Sequence, residues 1–187
     1  MKQPAYTTSV EALRKMMGGV MRWNLWLFLV RRSLYVENDI RFTEGLNMGE
    51  DMMVMMKLFI CAGKVGIVHR PFYHYRQSNP ESLTKIYSQE HIIQVANNVY
   101  EVEKYVNASA YADSLIEFIP FLKLNIKLPL LITDDKSHYE QWLECFPEAN
   151  CYVMNNKLLP LRTRIIQWMA VKRYFILLRL YYRTVFK

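Results

Sequence analysis

The sequence predicts a chain that is mostly α-helical with a few short strands. Three observations support this. Residues 50–62 are apolar, begin with two acids and are followed by a glycine, as expected of a helix with clear ends. Two short apolar segments come directly after that helix and fit strands. From about residue 88 to the end, four longer stretches carry a helical pattern.

The first elements are predicted to be two helices and a loop. Residues 8–17 fit a short helix, because a hydroxyl residue stands at its start and Gly18-Gly19 follow its end. Residues 23–30 contain one polar member, and a run of eight is far short of the roughly twenty apolar residues that span a bilayer. We expect this run to belong to a buried helix that continues to about Val36. Residues 38–49 are predicted to form a loop.

The clearest predicted helix spans residues 50–62. Glu50 and Asp51 lie in its first turn, where negative charge is favoured, and its methionine-rich body is expected to be buried. Residues 64–69 and 72–76 are the strand candidates, and Pro71 fits the start of the second one. Residues 78–82 are predicted to form a turn.

The second half of the chain is predicted to be helical. The helices span about residues 88–107, 110–126, 137–145 and 162–185. Asp134-Asp135 is expected to cap the third of them, because short acidic side chains accept hydrogen bonds from the first N–H groups of a helix.

The charge and the cysteines exclude several functional classes. The net charge is +7, but residues 157–187 hold eight Lys or Arg and no acid, while the rest has 16 basic against 17 acidic residues. We therefore expect no nucleic-acid partner, since that function needs a basic patch built into the fold. Cys61, Cys145 and Cys151 are odd in number and lack C-x-x-C spacing. This spacing argues against a disulfide framework and a zinc site, and favours a reducing compartment.

Five short motifs follow one another in the first half of the chain: Arg31-Arg32-Ser33-Leu34, Asn38-Asp39-Ile40-Arg41-Phe42, Gly49-Glu50-Asp51, Tyr73-His74-Tyr75-Arg76 and Ser82-Leu83-Thr84. In this order the sequence resembles the C-terminal half of bacterial family 2 glycosyltransferases, which are inverting enzymes with a single Rossmann-like fold. The resemblance covers roughly residues 20–86.

The resemblance implies an α/β parent fold of the nucleotide-diphospho-sugar transferase type. It also implies sugar transfer with inversion, from a nucleotide-diphosphate donor to a saccharide or lipid-linked acceptor, in cell-surface polysaccharide synthesis. Asp51 is then the candidate base, which the positive helix end keeps ionised, and Glu50 orients the loop or binds an acceptor hydroxyl. The alternative is that both acids only stabilise the start of a helix.

Four further side chains are predicted to contact the substrate: Arg76, Tyr73, Tyr75 and Trp26. Arg76 can pair with a diphosphate through its forked donors, and the two tyrosines can pack against donor or acceptor rings. A structural or solvent-facing ion pair for Arg76, and one buried and one half-exposed ring for the tyrosines, stay open as alternatives.

The sequence departs from the family pattern at two places. Phe28 stands where a lysine is expected in a Trp-x-Lys-Leu arrangement. The family also implies a divalent metal, Mg²⁺ or Mn²⁺, on an Asp-x-Asp motif, and this sequence contains no such motif. We therefore expect a truncated enzyme without its N-terminal nucleotide-binding half, inactive or nearly so on its own.

The basic tail suggests a second role. If residues 162–185 form one helix, its basic side chains fall within about a third of the circumference, beside apolar and aromatic residues. Such a helix suits an anionic membrane interface, and packing on the domain with the charges in water is equally open. The predicted membrane contacts are Arg162, Trp168, Lys172, Arg173, Arg179 and Arg183.

These inferences predict three parts. Residues 1–86 would be the acceptor-side part of a catalytic domain, residues 87–156 a helical extension and residues 157–187 a basic amphipathic helix. We expect a cytoplasmic location, with peripheral attachment to the inner face of the membrane left open. The rival hypothesis is a non-catalytic helical module, derived from such an enzyme, that binds membrane or another protein.

Overall fold

The computed structural model describes residues 3–70, 72–76 and 89–186. These residues form α1 (Ser9–Met17), α2 (Arg32–Glu37), α3 (Glu50–Cys61), α4 (Gln89–Asn107), α5 (Ala112–Leu115), α6 (Ile119–Ile126), α7 (Lys136–Glu144), α8 (Leu161–Val171) and α9 (Phe175–Val185). Short 3-10 turns lie at Leu25–Leu27, Ile116–Phe118, Leu128–Leu131 and Pro147–Tyr152. The chain divides into two compact units, Met1–Leu13 with Arg22–Ser114, and Arg14–Met21 with Leu115–Lys187.

Helices predominate and no strand occurs in the residues that the structure describes, so the predicted α/β parent fold is wrong for this chain. Residues 64–70 and 72–76 form no helix or strand, and no described backbone hydrogen bond joins them to another segment. A strand needs a neighbouring strand for its N–H and C=O groups, and strand-like composition does not supply that neighbour. Pro71, the predicted turn at residues 78–82 and the motif Ser82-Leu83-Thr84 lie outside the described residues.

Helix α3 is the buried centre of the first unit. Its buried side chains are Met52, Met53, Val54, Met55, Met56, Leu58 and Phe59. Five consecutive buried positions cover the whole circumference of a helix with 3.6 residues per turn. Helix α4 packs against α3, and its buried valines recur every three or four residues, at positions 95, 99, 102 and 106. The methionines are buried as predicted, although the element packed against them is a helix and not a sheet.

Several predicted helix ends are confirmed. Thr8 Oγ1 accepts a hydrogen bond from the Glu11 N–H at 3.1 Å, which caps the start of α1. The helix ends at Gly19 in the left-handed region (φ 83°), and the Val20 N–H reaches back to the Lys15 carbonyl at 3.0 Å. Asp135 Oδ1 accepts from the Ser137 N–H at 2.9 Å and caps α7.

The predicted helix through residues 23–36 is wrong. The segment forms one 3-10 turn at Leu25–Leu27, an extended stretch around Leu29 and the short helix α2. Leu29 is fully exposed and Val36 is also exposed, so the apolar run is not one buried surface. A run of eight residues with only one polar member carries no helical periodicity, and such a run does not by itself distinguish a helix from extended chain.

The single helix predicted for residues 162–185 is also wrong, since α8 and α9 are separated by a turn. Arg173 adopts the left-handed conformation (φ 57°), its N–H bonds the Ala170 carbonyl at 2.9 Å, and the Tyr174 N–H bonds the Met169 carbonyl at 2.9 Å. This pair of hydrogen bonds is a Schellman motif, in which glycine is the usual left-handed residue. Because no glycine stands at this position, no local signal in the sequence marks the break.

A buried lysine holds together the second unit. Lys127 Nζ donates to the Cys145 carbonyl at 2.6 Å and to Asn150 Oδ1 at 2.6 Å, and it lies 4.2 Å from the centre of the Trp142 ring. Burial lowers the pKa of Lys127 to about 8. The ammonium group therefore satisfies carbonyl groups at the end of α7 that the helix itself leaves without donors.

We expect Lys127→Met to destabilise the protein by about 2–4 kcal/mol, because it leaves buried acceptors without a donor. Urea-induced unfolding at neutral pH measures the loss. Lys157→Met, which makes the same change at an exposed lysine, serves as the control and should cost less than about 0.5 kcal/mol. Equal losses in the two variants would contradict the assigned role of Lys127.

Candidate substrate-binding site at the start of helix α3

The loop before α3 is fixed to α4 within the first unit. The Asn47 N–H bonds Gln94 Oε1 at 3.0 Å, and the buried Asn98 side chain donates to the Met48 carbonyl at 2.8 Å. Gly49 is in the left-handed region (φ 81°), and a Cβ there would lie 3.4 Å from the Cα of Val95. A glycine is therefore favoured at position 49, since the turn needs a positive φ directly before the first helical residue.

Asp51 lies at the start of α3 and is half-buried. The Leu25 N–H donates to Asp51 Oδ2 at 3.3 Å, and no other hydrogen bond to this carboxylate occurs within the described part of the chain. Burial raises the pKa of the Asp51 carboxyl, and the hydrogen bond from Leu25 opposes that shift. A half-buried carboxylate that has a raised pKa, and whose other oxygen accepts no hydrogen bond from the described residues, has the properties of a general base.

The structure brings together three of the predicted substrate contacts. The rings of Trp26 and Tyr75 stack with their centres 4.8 Å apart and their planes at 7°, and those of Trp26 and Tyr73 stack at 5.2 Å and 22°. Both tyrosines are exposed and Trp26 is half-buried. Trp26 directly follows Leu25, whose N–H holds Asp51, so this aromatic platform (Trp26, Tyr73 and Tyr75) is joined to the carboxylate through one peptide unit.

Glu50 and Tyr35 lie close to Asp51. Burial raises the pKa of Glu50, and the neighbouring charge of Asp51 adds to the shift. Burial is the larger cause of a raised pKa at Tyr35, and the charge of Asp51 raises that pKa further. Tyr35 was not among the residues predicted from the sequence, since its position in α2 carried no motif signal.

The remaining predicted contacts are placed differently. Arg76 is exposed, and no contact with another residue is seen for it within the described ranges. Phe28, at the position where the resemblance implies a lysine, packs edge to face against Phe59 of α3 with ring centres 5.6 Å apart. That position therefore contributes to the core of the first unit and cannot supply a cationic contact.

The described residues do not fit the divalent metal that the resemblance implies. Among them, no three His, Cys, Asp or Glu side chains are close enough together to hold a metal ion. Glu50 and Asp51 supply only two carboxylates, and the Leu25 N–H already occupies one oxygen of Asp51. We derive no chemical step through a metal at this site.

The basic residues of the tail belong to the second unit, and several contact residues within it. Arg173 pairs with Glu140 at 2.9 Å and Arg183 with Asp134 at 3.7 Å, while the Arg162 guanidinium lies 5.4 Å from the centre of the Tyr181 ring. Trp168 packs edge to face on Tyr174 at 5.7 Å, and Lys172 and Arg179 are exposed. None of the described helices combines the length and the apolar character that crossing a membrane requires.

A comparison with known proteins supports part of the resemblance. A stretch of 64 residues is 34% identical to the uncharacterized glycosyltransferase EpsJ of Bacillus subtilis (strain 168). Over that stretch the chain is similar to a glycosyltransferase. The stretch makes up 34% of this chain and 18% of the length of that protein. No family model matches the chain, and no solved structure matches it. The relationship to glycosyltransferases is thus supported at this level, while family 2 membership and truncation stay predictions.

We expect Asp51→Asn to be more stable than the wild type at neutral pH. The raised pKa means that folding disfavours the ionised carboxylate, whereas asparagine keeps an oxygen for the Leu25 N–H. Because the folded state binds the proton more tightly, the wild type loses stability as pH rises from the ordinary carboxyl pKa through the raised one. Urea unfolding of both proteins between about pH 4 and pH 7 measures this difference.

Asp135→Ala is the control for that experiment. Hydrogen bonds from Ser137 lower the pKa of this capping carboxyl, so its removal should reduce stability at neutral pH, with the opposite pH dependence. If Asp51→Asn is instead less stable than the wild type at pH 7, Asp51 serves mainly to stabilise the helix start.

Proposed function

We propose that this chain carries the acceptor-side part of a sugar-transfer site, in which Asp51 is the general base. One observation carries the proposal. Leu25 donates its N–H to the half-buried Asp51 carboxylate, and the next residue, Trp26, belongs to the aromatic platform. Aromatic faces pack on the C–H faces of sugar rings, and a carboxylate accepts the proton of a sugar hydroxyl. The partial similarity to a glycosyltransferase supports the same assignment.

In the proposed reaction, an acceptor saccharide lies on the aromatic platform with one hydroxyl at Oδ1 of Asp51. The oxygen of that acceptor hydroxyl attacks the anomeric carbon of a nucleotide-sugar from the face opposite the diphosphate. A new C–O bond forms, the bond to the diphosphate breaks with its electron pair on the leaving group, and the hydroxyl proton passes to Asp51. The configuration at the anomeric carbon is inverted, and one carboxylate is enough.

The other predicted residues support this chemistry in the proposal. Glu50 lies next to the base and would bind a neighbouring acceptor hydroxyl. Arg76 is exposed at the end of the segment that carries Tyr73 and Tyr75, where its forked donors would meet the diphosphate of a donor held elsewhere. Because the sequence contains no Asp-x-Asp motif, we expect this chain alone to bind uridine diphosphate with Mn²⁺ only weakly or not at all.

The proposal predicts that the chain binds neutral saccharides at Trp26. Calorimetric titration with maltose, cellobiose and chitobiose should show millimolar binding of at least one, corresponding to about −4 kcal/mol. Trp26→Ala should weaken that binding at least about tenfold, because it removes the ring on which Tyr73 and Tyr75 stack.

Trp168→Ala is the matched control, since it removes a tryptophan of the second unit that is not part of the platform. Its saccharide affinity should equal that of the wild type. Absence of binding by all three disaccharides, or equal affinity in the two variants, would overturn the proposal. Micromolar binding of uridine diphosphate would overturn the assignment to the acceptor side alone.

A second proposal concerns the tail, which we infer binds an anionic lipid surface. Helix α8 exposes Leu161, Ile165 and Trp168, whose spacing of four and three residues places them on one face. Helix α9 exposes Ile176, Leu177 and Leu180, of which Ile176 is 78% exposed. Residues 157–187 contain eight Lys or Arg and no acid, so their positive charge complements negatively charged headgroups.

We expect the protein to sediment with phosphatidylglycerol vesicles and not with phosphatidylcholine vesicles, and to be released by salt. The double variant Ile176→Asp with Leu180→Asp should reduce binding at least about tenfold, because each change removes apolar area and adds negative charge. Ile116→Asp with Ile132→Asp makes the same change at exposed positions outside the tail and should keep binding. Failure of the wild type to sediment would contradict the proposal, as would equal binding by the two double variants.

A further inference from the structure

A cleft of about 720 Å³ lies in the first unit, between the loop that precedes α3 and the exposed face of α4. Thr43 and Leu46 line it from the loop, and Asn97, Tyr100 and Asn107 line it from α4. Its volume is within the range of ligand-binding clefts. None of the motifs in the sequence pointed to it.

The side chains of the cleft match the chemistry of a sugar chain. Tyr100 is 48% exposed, so part of its ring is available to a C–H face of a sugar, and its hydroxyl adds a polar group at the edge. The exposed carboxamides of Asn97 and Asn107 supply both donors and acceptors, and Thr43 supplies a hydroxyl. Donors and acceptors beside an aromatic ring suit a ligand with many hydroxyl groups.

Charged side chains of opposite sign lie close together on the α4 side of the cleft. The cleft contains two carboxylates, Glu101 and Glu103, and one ammonium, Lys104. Lys104 donates to Glu101 at 2.8 Å, and that hydrogen bond lowers the pKa of Glu101, so the carboxylate stays ionised. Lys57 of α3 also lies near Glu101 and lowers the pKa of its carboxyl. Because the cations lie beside carboxylates, this lining suits neutral sugars better than the phosphate groups of a nucleotide or a lipid diphosphate.

The cleft is close to the proposed base. Leu46 in its wall and Glu50 at the start of α3 are four residues apart, and four residues span at most roughly 14 Å. The hydrogen bonds of Asn47 and Met48 to α4 hold this short connection in place. A ligand of several sugar units is long enough to occupy both places.

We propose that the cleft binds the distal sugar units of the acceptor, a neutral oligosaccharide whose terminal unit lies at Asp51. This inference rests on the proposed function and deepens it by naming the acceptor as a chain of sugars and not a single unit. Tyr100 then makes the protein prefer longer acceptors, whereas the aromatic platform holds the terminal unit.

The test is the length dependence of saccharide binding by calorimetry. The titrations compare each disaccharide with its hexasaccharide: maltohexaose, cellohexaose and chitohexaose. For a sugar that binds, the hexasaccharide should bind at least about tenfold more tightly than the corresponding disaccharide. Tyr100→Ala should remove that advantage and leave disaccharide affinity unchanged. Tyr152→Ala, at a similarly exposed tyrosine of the second unit, should keep it.

A second variant keeps the test decisive if Tyr100→Ala does not fold. Asn97→Arg narrows the cleft from an exposed position without removing packing, and it should reduce hexasaccharide affinity in the same way. If disaccharides bind at Trp26 but hexasaccharides bind no more tightly, the cleft inference is wrong and the proposed function stands. If the length advantage survives both Tyr100→Ala and Asn97→Arg, the cleft inference is also wrong. If no saccharide binds, the proposed function fails and the inference fails with it.

Discussion

The burial of helix α3 is the constraint on which the first unit depends. Residues 52–56 are buried on every side, so the helix cannot rotate or slide without exposing apolar side chains or opening cavities. Asp51 is the residue immediately before this run. Its partial burial, and the raised pKa that follows from it, are consequences of its position beside the core. The property that suits Asp51 to proton transfer therefore comes from the same packing that stabilises the unit.

Two effects on the Asp51 carboxylate oppose each other. A helix N-terminus favours a negative charge, and the Leu25 N–H donates to one oxygen. Desolvation disfavours the charge, and it is the largest contribution to the pKa. The sequence pattern alone suggested that the helix end would dominate. The outcome depends on how deeply the first turn is buried, which is a property of the tertiary structure and not of the Gly49-Glu50-Asp51 motif.

The sequence predicted those features that local interactions determine. The capping residues Thr8 and Asp135 and the left-handed Gly19 mark helix ends through hydrogen bonds within a few residues, and each was predicted correctly. The break at Arg173 was missed, because its left-handed conformation occurs without glycine and Glu140, 33 residues away, pairs with the side chain. A contact so distant in sequence leaves no local pattern.

The same contrast between local sequence signals and contacts distant in sequence holds for the candidate site. Glu50 and Asp51 stood out because a motif surrounds them, whereas Tyr35 was missed since only the folded chain brings it near Asp51. The strand candidates were predicted from composition, but composition cannot supply the neighbouring strand on which a sheet depends.

Aromatic stacking fixes the segment at residues 72–76 to Trp26 in the first unit. No described backbone hydrogen bond joins it to another segment, while Tyr73 and Tyr75, two residues apart, both stack on Trp26. Because both tyrosines reach the same ring, their side chains lie on the same side of this segment. Two stacked pairs contribute about 1–3 kcal/mol beyond their buried area. A saccharide on the exposed tyrosine faces would therefore strengthen the contacts that order its own binding site.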